Sequence, residues 1–132
     1  MNGKSAQEII IAQERAVLQR WHAGDPLGHI AHHADDATYF DPATPSRVDG
    51  IGALRDYLTP LEGKVNVPRF EIEHPHVQLH GAVGVLTFNL NAYSGEGELA
   101  FRWNSTEVYR RTAGQWKVIH SHWSMVEKTA GQ

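Results

Sequence analysis

An α+β domain is the fold class this sequence predicts, and three observations carry it. Apolar residues recur at helical spacing in the first part of the chain, which holds three helical segments. Four long segments rich in β-branched and aromatic residues fill the second half. Helices come first and strands last, which is the order of an antiparallel sheet covered on one side rather than of alternating βαβ units. A chain of 132 residues suits one hydrophobic core, so a single domain over 1–132 is expected, with its core at about 5–126.

Ser5 and Glu8 form an S-x-x-E capping box at the start of the first helix. Ile9, Ile10, Ala16, Val17 and Trp21 then make one apolar stripe over about four turns. Gly24-Asp25-Pro26 ends that helix, and Asp25 caps a second, short one whose first residue is Pro26. It carries Leu27, Ile30 and Ala31 and is expected to run out near His32-His33. A short strand follows over 37–42, closed by Pro42. Residues 43–49 read as loop, and a third helix runs from Gly50 or Ile51 to about Leu58, with Leu54, Tyr57 and Leu58 on one side. The long strands are expected over 70–80, 82–93, 99–111 and 116–126, with hairpin turns at Gly81, at Gly95 with Gly97, and at Ala113-Gly114.

Alternation along a strand separates its two faces. Leu86, Phe88, Leu90 and Ala92 make one side of the second long strand; Thr87, Asn89, Asn91 and Tyr93 make the other. The last strand divides into Trp116, Val118, His120 and His122 against Ile119, Ser121, Trp123 and Met125. Neither face is cleanly polar, so a second cover is expected beyond the three helices: another copy of the chain, in a homodimer or higher homo-oligomer. The uncharged polar side, Thr87, Asn89 and Asn91, is the expected wall of a small-molecule pocket; the alternative is that it faces solvent. With the turn centred near Gly97, Asn89 lies opposite Ser105 and Thr87 opposite Glu107, which brings Glu107 to that wall. The turn at Ala113-Gly114 leaves open whether Ser121 and Trp123, or His120 and His122, stand beside it, because one residue of slip exchanges the faces.

Composition excludes several classes. The net charge is −3 with both signs interspersed, and no basic stripe is offered to phosphates, so no nucleic acid is expected. The absence of cysteine excludes disulfides and thiolate chemistry. Charges at Glu8, Glu14 and Arg15 interrupt any signal-peptide core, and no stretch approaches a membrane span. A cytoplasmic protein without a membrane partner is the expectation.

Specific motifs now point to a family. Trp21-His22-Ala23-Gly24-Asp25, then Ala34-Asp35-Asp36 leading into Tyr39-Phe40-Asp41-Pro42, resembles the opening of SnoaL-like proteins of the nuclear-transport-factor-2-like superfamily. The end, Thr106 to Arg111, Gly114-Gln115-Trp116 and His120-Ser121-His122-Trp123-Ser124, is similar to the association domain of calcium/calmodulin-dependent protein kinase type II. The resemblance covers about residues 8–126. It implies a cone-like curved sheet under N-terminal helices, an oligomer at least dimeric, and a pocket between helices and concave face. The kinase domain carries arginines at the positions matching Asn91, Glu107 and Trp123, and the correspondence puts those three on the concave face. Their replacement here argues against an anionic ligand.

Enzymes of this superfamily, polyketide cyclases, ketosteroid isomerases and dehydratases among them, use a pocket carboxylate or histidine as base. The resemblance therefore implies Glu107 or Asp41 as a general base, Tyr39, Asn89 and Asn91 orienting a substrate oxygen, and Trp103 and Trp123 as apolar walls, with Thr87, Ser105 and Ser121 beside them. The competing reading of Glu107 is a structural ion pair with Arg102, Arg110 or a nearby arginine. At the level of the whole chain, the alternative is a non-catalytic oligomerisation or ligand-sensing module. His74-x-His76 and His120-x-His122 each offer two imidazoles on one strand face, the pattern of a histidine-ligated metalloenzyme. Against this, the helical N-terminus does not suit a jelly roll; no metal and no cofactor are expected. His29, His32 and His33 are read as decorating a helix end.

Overall fold

Ser5 and Glu8 open the first element of the computed structural model, which describes residues 3–127; residues 1–2 and 128–132 of the expected domain lie outside that range. The Ser5 hydroxyl accepts from the Glu8 amide at 3.1 Å, and the Glu8 carboxylate accepts from the Ser5 amide at 2.9 Å. Helix α1 runs Ala6–His22, and its buried residues are Ile10, Glu14, Val17, Leu18 and His22. Ala16, expected on that stripe, is exposed. Helix α2 is one turn, Pro26–His29, started by Asp25, whose carboxylate accepts from the Gly28 amide at 3.0 Å.

Strand β1 then begins earlier than expected, over His33–Phe40. This corrects the reading of the histidine cluster as surface decoration. His29 and His33 are buried, and of the three only His32 is exposed. The physical reason is that α2 stops at His29, so the chain turns inward and His33 enters the sheet beside Val118. Strand β2, Val48–Asp49, lies within the stretch expected as loop and pairs with Thr38 and Tyr39 of β1. Helix α3 spans Ile51–Leu58 and tightens into a 3-10 turn at Thr59–Leu61. Four long strands follow: β3 Arg69–His80, β4 Val83–Tyr93, β5 Leu99–Thr112 and β6 Gln115–Met125.

The six strands form one curved, open sheet in the order β2-β1-β6-β5-β4-β3. The pair β1–β6 is parallel, and the others are antiparallel. The core joins Ile10 and Leu18 of α1 and Leu54 and Leu58 of α3 to Leu86, Phe88, Leu90, Tyr109, Trp116, Val118 and Trp123 of the sheet. Burying each of these large side chains contributes roughly 1.5–3 kcal/mol. Gly84 lets α1 lie close, since a Cβ there would come within 2.9 Å of Ile10 Cδ1.

Two bulges decide which residues face the helices. The β4–β5 ladder pairs Tyr93 with Leu99 but Ala92 with Phe101, so β5 holds one extra residue at Ala100. Beyond it Asn89 faces Asn104, Phe88 faces Ser105 and Leu86 faces Glu107. The expected pairs Asn89–Ser105 and Thr87–Glu107 are therefore corrected by one position, and Glu107 joins the apolar face. In the β5–β6 ladder Tyr109 pairs with Val118 and Val108 with His120, leaving Ile119 as the bulge. Trp116 and Val118 thereby share the inner face with Ser121 and Trp123, which corrects the expected division of that strand. Uninterrupted alternation mixes the faces; with the bulges in place, the inner face is mostly apolar and the outer one mostly polar.

Candidate functional site

A cavity of about 400 Å³ opens between the helices and the concave face of the sheet. Apolar walls come from Leu18 and Trp21 of α1, Leu61, Leu90 of β4, Trp103 of β5, and Trp123 and Met125 of β6. Its titratable lining groups are His22, His29, Tyr39, Asp41 and Tyr57. A cavity of that size with mainly aromatic and aliphatic walls and a few polar groups fits a small organic molecule.

Asp41 is the most firmly held of these groups. It follows β1, where Pro42 ends the strand, and its side chain folds into a turn with the next residues. Oδ1 accepts from the Ala43 amide at 2.8 Å, the Thr44 amide at 3.1 Å and the Tyr57 hydroxyl at 2.8 Å. Oδ2 accepts from Tyr39 at 2.9 Å and again from Tyr57 at 3.0 Å. Burial and the adjacent carboxylate raise the Tyr57 pKa to about 12 and the Tyr39 pKa well above the ordinary phenol range. Both hydroxyls thus stay protonated donors over the physiological range. Tyr57 was legible as a helix-stripe residue; its role as an Asp41 partner depends on α3 packing against β1.

His29 links this cavity to a second polar cluster. One donor atom each of His29, Glu14 and Glu107 lies within 4.8 Å of the others. Glu14 and Glu107 are both 1% exposed. The Tyr109 hydroxyl donates to Glu14 Oε1 at 2.6 Å, whereas Glu14 Oε2 and both Glu107 oxygens have no hydrogen-bond partner among the described residues. Burial, and then the Glu14 carboxylate, push the Glu107 pKa well up; burial raises Glu14, partly offset by the Tyr109 hydrogen bond. Burial lowers His29 to about 4, which leaves a neutral imidazole at pH 7. Glu14 stands at helical spacing from Ile10, Val17 and Leu18, so a carboxylate inside an apolar stripe was the signal that could have found it.

The expected site residues divide three ways. Tyr39, Asp41, Trp103 and Trp123 line the cavity. Glu107, Ser105 and Ser121 are buried on the same face but outside that lining. Ser121 lies opposite Glu107 across β5–β6 and accepts the Trp123 indole N–H at 3.0 Å. Thr87, Asn89 and Asn91 are on the outer face, so the expectation that they wall the pocket is corrected by the bulge at Ala100. Asn89 donates to the Trp103 carbonyl at 3.0 Å and to Asn104 at 2.8 Å. Asn91 sits between Glu71, Glu73 and Arg102, with Arg102 bonded to Glu73 at 2.9 Å. Arg102 is therefore the partner of Glu73, and neither Glu107 nor Glu14 forms an ion pair with lysine or arginine among the described residues.

The paired histidines also fall outside the cavity. His74, His76 and His122 are exposed, and His120 shares a 2.7 Å hydrogen bond with the Thr38 hydroxyl. No helix among the described residues is long and apolar enough to cross a membrane.

Comparisons with known proteins agree with this architecture. Residues 15–128 match the family described as SnoaL-like domain. A structure from Parabacteroides distasonis ATCC 8503, described as a candidate ketosteroid isomerase, is 34% identical and superposes with a TM-score of 0.83 over 94% of this chain and 90% of its own. A nuclear-transport-factor-2-like protein of unknown function from Pseudomonas putida KT2440 is 28% identical, with a TM-score of 0.80 over 98% and 94%. The calcium/calmodulin-dependent kinase II hub of S. rosetta shares the fold at 17% identity and a TM-score of 0.73, over 95% and 100%. No curated protein matches the chain in sequence.

Proposed function

The chain belongs to the SnoaL-like domain family, and from that membership we propose that it binds an apolar carbonyl compound in the cavity and transfers a proton on it, with Asp41 as the base. The observation that carries this reading is an anchored carboxylate, flanked by two tyrosine hydroxyls, in the wall of an otherwise mainly apolar cavity. The similar structure described as a candidate ketosteroid isomerase supports the same class of chemistry.

In this reaction Asp41 takes a proton from the carbon next to the carbonyl, and the electron pair moves onto the oxygen. Tyr57, which already contacts both Asp41 oxygens, turns its hydroxyl to the developing enolate, and Asp41 returns the proton to a conjugated carbon. Trp103, Trp123 and Leu90 exclude water from the exchange. Glu107 lies behind this wall and does not touch the ligand.

Incubation with aromatic ketones and enones in deuterated buffer tests the proposal. Catalysed exchange of the proton next to the carbonyl is expected by NMR, with a rise in melting temperature. A ligand at a hundredfold over its Kd stabilises the fold by about 2.7 kcal/mol. Absence of both exchange and stabilisation across the panel removes the reading.

We further propose self-association. Among the described residues Leu99, Phe101 and Met125 are the exposed large hydrophobic ones, and all three border one groove with Val126; a second copy of the chain covers such a patch. Light scattering after size exclusion is expected to give a dimer or larger species at micromolar concentration, and a monomer there overturns it.

A further inference from the structure

We propose that Glu14, His29 and Glu107 form a binding site for one divalent transition-metal ion at the inner side of the cavity. The three side chains come from α1, α2 and β5, and the fold brings one donor atom of each within 4.8 Å of the others. With ligand bonds near 2.0–2.2 Å a single ion spans at most about 4.4 Å between donor atoms, so side-chain shifts of a few tenths of an ångström bring the three donors onto one ion.

The hydrogen-bond pattern favours a cation. Glu107 is 1% exposed, yet among the described residues neither of its oxygens accepts a hydrogen bond, and Glu14 Oε2 is also without a partner there. Buried polar atoms are nearly always satisfied, and two adjacent buried carboxylates need either a shared proton or a compensating charge. Neither has a lysine or arginine ion-pair partner among the described residues. A divalent ion balances both carboxylates and uses the oxygens left unpaired.

The donor set also narrows the ion. One imidazole with two carboxylates suits Zn²⁺, Mn²⁺ or Fe²⁺, whereas Ca²⁺ prefers all-oxygen ligands. Tyr109, bonded to Glu14 at 2.6 Å, stands as an outer group that orients that carboxylate. His29 also lines the cavity, so an ion held there is next to the bound organic molecule. It would act as a Lewis acid on an oxygen of that molecule.

The inference is separable from the proton-transfer reading, because metal binding is measured without turnover. Protein stripped with a chelator and titrated with Zn²⁺ and with Mn²⁺ by calorimetry at pH 7 is expected to take up one ion per chain. The melting temperature should rise with uptake. Glu107→Gln, which keeps the side-chain shape, is expected to weaken binding at least tenfold, and Glu14→Gln likewise. The double variant His120→Gln/His122→Gln should bind as the parent does. No stoichiometric uptake of either ion by the parent protein overturns the proposal, and the two carboxylates then share a proton instead. Loss of binding in the His120/His122 variant with retention in Glu107→Gln overturns it too. Should Glu107→Gln fail to fold, the parent titration alone still decides.

Discussion

Asp41→Asn is expected to lower kcat by two to four orders of magnitude on any ketone the cavity accepts, the usual range for removing a general base. Asparagine keeps one carbonyl oxygen for the Ala43 and Thr44 amides, which both donate to Oδ1. It places an amide where Oδ2 accepts from Tyr39 and Tyr57, and those hydroxyls can accept in turn. The stability cost is therefore about 1–2 kcal/mol, and ligand affinity should change little. That division between kcat and Kd is the diagnostic. If Asp41 only braces β1 against α3, the variant will melt earlier while kcat stays within a fewfold of the parent. Steady-state kinetics beside a thermal melt separates the outcomes.

A second large effect concerns acid. His33 is 8% exposed, and neither ring nitrogen has a hydrogen-bond partner among the described residues. Burial, with smaller contributions from His29 and His32, lowers its pKa from 6.5 to about 3. The folded chain therefore binds fewer protons at this site than the unfolded chain does. The contribution to stability is complete above pH 6.5 and is lost as pH falls from 6.5 toward 3. Each unit of displacement is worth about 1.4 kcal/mol, so the loss is on the order of several kcal/mol, a large share of a typical domain's stability. Urea unfolding followed from pH 7 to pH 4 should show the midpoint falling steeply. His33→Leu removes the titrating ring and should flatten that slope relative to the parent. Equal slopes in the two proteins would mean that His33 escapes burial on protonation.

These expectations show what local pattern carried and where it stopped. The capping box at Ser5 and Glu8, the Asp25-Pro26 start of α2, the third helix and the four long strands are all short-range features. Each is set by neighbours within a few residues, through side-chain caps, proline geometry and glycine turns, and each was readable. The order of helices before strands then predicted the architecture. Within the candidate site, Tyr39, Asp41, Trp103 and Trp123 were legible through their motif and the family it resembles. The His29 and Glu14 pairing was not, because residues on α1, α2 and β5 meet only when the helices close over the sheet.

What the sequence by itself determined was the inventory of elements, their order and the chemistry available to them. The tertiary structure decided which face that chemistry occupies. Single extra residues at Ala100 and Ile119 bend β5 and β6, moving Glu107 beneath the helices and turning Asn89 and Asn91 outward. A strand's side chains alternate with a period of two, so one unpaired residue reverses every side chain beyond it. Nothing in the local alternation marks where such a residue sits; pairing across the sheet does.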